Sequence, residues 1–204
     1  SGTITPYCSG STVKFNATAS PSSGVTFSWT RPNEYGMSQS SNSGTSNAIN
    51  EVLNDTLNTP VSAYYLYSLN YGAGKCVNTQ VVSVTINPIA NITPKQISVC
   101  SGSSFNVSIN DIIPANTRYT WTTPTISSGS GTVTGAAAQS SQVSLISQTL
   151  TNNPVSRSTV VTLNYTVTPF AISGSSSCQS PTFPVTVTLN PVSTTTQLTT
   201  VSCS

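Results

Sequence analysis

Between Val61 and Tyr71 the chain reads VSAYYLYSLNY, and Val61, Ala63, Tyr65, Tyr67, Leu69 and Tyr71 occupy every second position. A period of two puts these side chains on one face of an extended strand. TVKFNAT repeats the pattern, with Val13, Phe15 and Ala17 opposite Lys14, Asn16 and Thr18, so Lys14 is expected to face solvent. VVTLNYTV does the same with Val161, Leu163, Tyr165 and Val167. Helical periodicity is weak: NAINEVLNDTL could pass for a turn of helix, but the corresponding QVSLISQTL has strand character. About seven short strands in each half, separated by Ser, Gly, Asn and Pro, predict β-sandwiches.

The pattern is also repeated as a whole. CSGSTVKFNATA from Cys8 reads against CSGSSFNVSIND from Cys100, and Trp29 and Trp121 each follow their cysteine at the same distance. TLNTPVSAYYLYSLNY reads against TLTNNPVSRSTVVTLNY with one residue of slip, which sets Tyr71 against Tyr165. Each copy continues to a second cysteine, Cys76 or Cys178, and closes on VVSVTINP or FPVTVTLNP. Proline cannot extend a closing strand, so the first boundary is expected after Pro88. The expected architecture is all-β, with two tandem immunoglobulin-like β-sandwich domains over residues 1–88 and 89–191 and the first strand of a third repeat over 192–204. Trp29 and Trp121 stand where an immunoglobulin-like strand C carries its core tryptophan, and Tyr71 and Tyr165 are expected beside them in the core.

Composition narrows the function. Only six Lys/Arg and four Asp/Glu are present and there is no histidine, yet 36% of residues are hydrophobic, so the chain should fold. The net charge of +2 is scattered, which argues against nucleic acid as a partner. No apolar run is long enough to span a bilayer, so no direct membrane insertion is expected. SGTITPYC lacks the apolar core of a signal peptide, which suggests a mature protein or an excised piece.

The cysteines suggest an oxidising compartment. The simplest pairing joins Cys8 to Cys76 and Cys100 to Cys178, closing loops worth about 4 kcal/mol each in a chain-entropy model. In immunoglobulin topology, however, those positions lie at opposite ends of the sandwich, and the alternative is a bond across repeats such as Cys8 to Cys178. Cys203 matches the first cysteine of a repeat and is expected to be unpaired within these residues.

Catalytic constellations are nearly absent. Without histidine there is no Ser-His or Cys-His activation and no imidazole ligand for a metal. The carboxylates are Glu34, Glu51, Asp55 and Asp111. Glu51 and Asp55 are close enough in sequence to suggest an acid/base or calcium pair, but the repeat sets Ser144 and Gln148 against them. The reading is therefore not an enzyme, with no catalytic residues, metal site or cofactor. Lys14 was a candidate for a Lys–Asn isopeptide bond, but it faces outward and Asn106 replaces it in the second copy. Of the clustered tyrosines, Tyr65, Tyr67 and Tyr71 alternate inward, leaving Tyr64 as the one placed for an exposed contact such as a sugar face.

VCSGS opening a unit, a following Trp, TLTNNPV and VTLNYTVTP, and a late Cys before VTVTLNP resemble the PKD-like and immunoglobulin-like repeats of giant Bacteroidetes cell-surface adhesins, including the flavobacterial gliding adhesin SprB. The resemblance spans nearly the whole chain. It implies PKD-like sandwiches, export by the type IX secretion system, an extracellular location at the cell surface, and adhesive or mechanical work in cell adhesion and gliding motility. It also implies O-glycosylation at Thr56, since Asp55-Thr56-Leu57 fits the short motif used in that phylum. The expected partners are neighbouring repeats of the same chain, together with surface glycans or abiotic surfaces. Two other readings compete: carbohydrate-binding or accessory modules of a secreted enzyme, and a filament subunit that assembles through strand edges. Many further copies in the parent sequence would favour the adhesin, and a neighbouring hydrolase the accessory module.

Overall fold

The computed structural model describes residues 4–20, 22–72, 77–128, 132–153 and 159–192, and every regular element among them is a strand. The chain divides into two compact units. The first gathers residues 1–91, 111–118 and 169–181; the second holds 92–110, 119–168 and 182–204.

In the first unit the strands are β1 (Tyr7–Cys8), β2 (Thr12–Asn16), β3 (Thr26–Arg31), β4 (Asn42–Gly44), β5 (Ala48–Val52), β6 (Val61–Asn70) and β7 (Val77–Asn87). Five form a sheet in the order β1-β7-β6-β3-β4, with β1 parallel to β7, while β2 and β5 pair separately. The alternation in β6 holds through Leu69: Val61, Ala63, Tyr65, Tyr67 and Leu69 are buried, and Tyr64 and Leu66 face out. Their inward faces meet Val13, Trp29, Ile49, Leu53, Val84 and Ile86 in one core. Tyr71 is half-buried at the edge of that core. Lys14 is exposed, as its place in the alternation requires.

The second unit is built from β8 (Lys95–Cys100), β9 (Ser104–Asn106), β10 (Arg118–Trp121), β11 (Thr125–Ser128), β12 (Val133–Thr134), β13 (Gln139–Val143), β14 (Ser147–Thr149), β15 (Thr151–Asn152), β16 (Val161–Ser173), β17 (Ser176–Gln179) and β18 (Phe183–Asn190), apart from Arg118, the end of β16 and β17, which count in the first unit. Its sheet runs β13-β10-β16-β18-β8, with β11 also on β16 and β8 parallel to β18. Phe105, Trp121, Ile146, Leu150, Leu163, Tyr165 and Val187 are buried there.

The repeat seen in sequence reappears bond for bond. After each first cysteine, CSGS makes the same turn: Ser11 N–H donates to the Cys8 carbonyl at 2.9 Å and Ser103 N–H to that of Cys100 at 3.0 Å. Gly10 and Gly102 sit there at φ 82° and 87°, where a side chain would be strained. Their N–H groups donate to the carbonyls of Leu53 and Leu150, both fully buried. Asp55 N–H donates to Ser9 Oγ, and Asn152 N–H to Ser101 Oγ, each at 2.9 Å.

Register corrects the alignment of the long strands. Val61 pairs with Ile86 one residue before the closing Asn87, and Val161 pairs with Leu189 one residue before Asn190. Tyr165 is therefore the counterpart of Tyr65 rather than of Tyr71. Tyr65 meets Phe15 edge-on at 5.5 Å, and Tyr165 meets Phe105 at 5.6 Å. Likewise Val13 pairs with Glu51 and Phe105 with Gln148, so the counterparts of Glu51 and Asp55 are Gln148 and Asn152, not Ser144 and Gln148. The shared LNY string misled because a two-residue period fits equally well when slipped by an even number.

The compact units also depart from boundaries drawn at 1–88 and 89–191. β16 is 13 residues long, and its last residues form a hairpin with β17, from Phe170 opposite Gln179 to Ser173 opposite Ser176. That hairpin belongs to the first unit, where Ala171 and Cys178 are buried and Ala90 N–H donates to Ser180 Oγ at 2.8 Å. Cys178 is bonded to Cys8, with Cα atoms 5.5 Å apart. The pairing expected within each repeat is thus replaced by the bond across repeats. The physical reason is reach: β17 brings the late cysteine of the second copy beside the end of β1. Cys100 is free and exposed. Cys76, Cys203 and residues 193–204 of the expected third repeat lie outside the described residues.

Candidate functional site

The outward face of the first unit's sheet sets hydroxyl and apolar side chains side by side. Register aligns Ser43, Thr30, Leu66 and Val81 in one row across β4, β3, β6 and β7. Tyr64 lies two residues from Leu66 on the same face. Tyr64, Leu66 and Val81 are 46%, 43% and 57% exposed and put three large apolar side chains on one face of the sheet. Beside them a groove of about 610 Å³ is bordered by Arg31, Pro32, Ser41 and Asn42. Tyr64 is therefore placed for an exposed contact, as expected from its alternation.

Beneath the groove lies a buried ion pair. Trp29 and Arg31 both point inward from β3, and Arg31 is only 1% exposed. Its Nε donates to Glu51 Oε2 at 3.1 Å, Nη2 to the Ser40 carbonyl at 2.7 Å, and Nη1 to the Pro32 carbonyl at 3.2 Å. Glu51 also accepts from the Tyr65 hydroxyl at 2.6 Å and from Asn42 Nδ2. Burial pushes the Glu51 carboxyl up, but the hydrogen bonds from Arg31, Tyr65 and Asn42 and the guanidinium charge outweigh it and hold the carboxyl below its ordinary value. Burial, then the bond to Glu51, raises the Tyr65 phenol. In the second unit Tyr165 donates to the neutral amide of Gln148 at 2.9 Å, and burial raises its pKa to about 12. Arg31 escaped the sequence reading, although its position two residues after Trp29 already marked it as inward and Glu51 as the available counter-charge.

The remaining candidates stand apart. The hydrogen bonds of Glu51 run to Arg31, Asn42 and Tyr65, and among the described residues none joins it to Asp55. Asp55 Oδ1 accepts from Leu57 N–H at 2.7 Å, while Oδ2 is buried without a hydrogen bond, and burial raises this carboxyl. Thr56, between them, is exposed, with its N–H donating to the Gly36 carbonyl at 2.8 Å. Among the described residues no cluster of three or more Cys, Asp or Glu could hold a metal. Trp29 and Trp121 are buried at 7% and 5% exposure, and Trp121 Nε1 donates to the Ala137 carbonyl at 3.1 Å.

A family model described as a PKD-like domain matches residues 97–193. With the all-strand architecture, the match defines the fold class as an immunoglobulin-like, PKD-like β-sandwich. Such domains are typical of extracellular proteins, and among the described residues no helix is long and apolar enough to cross a membrane. Among solved structures the chain is similar to a protein of unknown function from Porphyromonas gingivalis W83, at 7% identity and a TM-score of 0.27, covering 91% of this chain and 94% of that one. It is also similar to Drosophila N-cadherin EC1-3, at 13% identity and a TM-score of 0.28, covering 91% of this chain and 63% of that one. No curated protein matches the chain.

Proposed function

We propose that the chain is a non-catalytic structural and adhesive segment of a large bacterial cell-surface adhesin, one stretch of a longer array of the same repeat, of the kind that serves surface attachment and gliding. The observation that carries the array is the inequality of two equivalent cysteines. Cys8 and Cys100 open the same turn in the two copies, yet Cys8 is bonded to the late cysteine of the next copy while Cys100 is free and exposed. A following repeat with its own late cysteine would meet Cys100 as Cys178 meets Cys8. Each such bond forms from two thiols, whose two protons and two electrons pass to a thiol oxidant of the export route.

An array closed in this way resists pulling, because each bond covalently fastens one copy to the next. Repetition also gives weak surface contacts a high effective concentration. An exterior of hydroxyls and amides with ten charged residues suits hydrogen bonding to glycans or wetted solids. Thr56, exposed beside Asp55, is accessible to O-glycosylation.

The test is peptide mapping of the full-length parent, isolated from cells under thiol-blocking, non-reducing conditions. The expected product links the Cys100 peptide to a late cysteine of the following copy. Recovery of Cys100 as an alkylated free thiol would contradict the array.

A further inference from the structure

The principal sheets of the two units differ at one edge. In the second unit, β10 ends at Trp121 and the chain returns to the same edge of β16 as β11, setting Thr125 opposite Asn164, Ile126 opposite Leu163 and Ser128 opposite Thr162. In the first unit β3 pairs with β6 only from Asn70 to Leu66 and then leaves. The segment that corresponds to β11, Asn33–Gly36, turns away: Met37 N–H closes on the Glu34 carbonyl at 3.2 Å, and Gly36 sits at φ 85°. Tyr35 ends 88% exposed.

Ser62, Ala63 and Tyr64, the counterparts of Thr162, Leu163 and Asn164, thus have β7 on one side, opposite Thr85, Val84 and Ser83. Among the described residues no strand pairs with them on the other side. The 610 Å³ groove over the outward face reaches this edge at Tyr64 and is bordered by Arg31 and Pro32, where β3 leaves the sheet. Backbone groups of an unpaired edge are a template for another strand.

We propose that the β6 edge at Ser62–Tyr64 is a strand-addition site that takes an extended, uncharged segment rich in Ser, Thr and β-branched residues from a separate partner protein, running antiparallel to β6. The second unit indicates the chemistry and direction of the added strand, since its own Thr125–Ser128 fills the equivalent place antiparallel to β16. The charge of the groove supports the choice. Its one charged border, Arg31, is neutralised by Glu51, so a charged strand would gain no counter-ion and would lose water. Tyr64, Leu66 and Val81 then offer an apolar shoulder to the outward side chains of the added strand. This site goes beyond the array reading and does not depend on it.

The probe is the peptide Thr-Pro-Thr-Ile-Ser-Ser, the sequence of residues 123–128, titrated into the isotope-labelled whole chain with amide shifts recorded by NMR. The expected result is saturable change centred on Ser62–Leu66. Two further peptides carry N-methyl groups at alternate positions, each blocking one edge of the strand. One should bind at least ten-fold more weakly and the other like the parent peptide, because an added strand uses a single edge. No saturation at millimolar peptide, equal weakening by both methylation patterns, or changes at another edge would overturn the proposal. Self-association of the unliganded chain that moves the same amides would overturn the choice of a separate partner.

Discussion

Cys8 is bonded to Cys178, 170 residues further along the chain. The bond fastens the end of β1 to the β16–β17 hairpin, so the first compact unit contains sequence from both copies. In a chain-entropy model, closing a loop of that length restricts the unfolded state by about 5 kcal/mol. The Cys8→Ala variant should lose about 2–5 kcal/mol of stability in the first unit and leave the second unchanged, as read by denaturant-dependent hydrogen exchange assigned to each unit. Equal loss in both would show that the bond does not act where it is placed.

The Arg31–Glu51 pair yields a prediction of opposite character in its single and double variants. Glu51→Gln alone leaves a guanidinium that is 1% exposed without its counter-charge, and should cost about 3–5 kcal/mol. Arg31→Met with Glu51→Gln reproduces the neutral arrangement around Gln148 and should recover most of that loss. Because the Glu51 carboxyl is held below its ordinary 4.5, its contribution is present above that value and is lost as pH falls through the folded-state value. Chemical denaturation from pH 7 to 2 should show an acid limb in the native chain that the double variant reduces.

Asp55 has the reverse sign. Its carboxyl is raised above 3.8 by burial, so the folded state favours the protonated form; that contribution is present below 3.8 and lost as pH rises through the folded-state value. Asp55→Asn, which copies Asn152 of the second unit, should stabilise the first unit at pH 7 and change little at pH 3. Thermal unfolding at the two pH values separates this from an effect independent of charge.

Gly135 should be among the least replaceable residues of the second unit. It sits at φ 87°, and a Cβ there would lie 2.0 Å from the Thr149 carbonyl oxygen, which belongs to β14 and cannot swing aside. Gly24, at φ 73°, has nothing within 4 Å of the same atom. Gly24→Ala should cost about 1 kcal/mol and Gly135→Ala about 3 kcal/mol or more, measured by denaturant unfolding.

The alternation of β6 and β16 made strand identity and burial legible, because a half-buried strand leaves a period of two in its sequence. The repeat of CSGS after each first cysteine was legible as well, although the turn that its glycine makes at positive φ appears only in the structure. Register was not: Tyr65 and Tyr71 satisfy the same parity, and only the pairing of Val61 with Ile86 and Val161 with Leu189 distinguishes them. The open edge at Ser62–Tyr64 was likewise hidden, because it arises from where β3 leaves the sheet rather than from any residue on β6. The disulfide turned on which hairpin reaches Cys8, a matter of fold that cysteine spacing does not encode.

Non-reducing peptide mapping of the purified chain, alkylated before digestion, tests the central claim most directly. The account predicts a peptide containing Cys8 linked to one containing Cys178, with Cys100 recovered alkylated. A peptide linking Cys8 to Cys76, or Cys100 to Cys178, would contradict it.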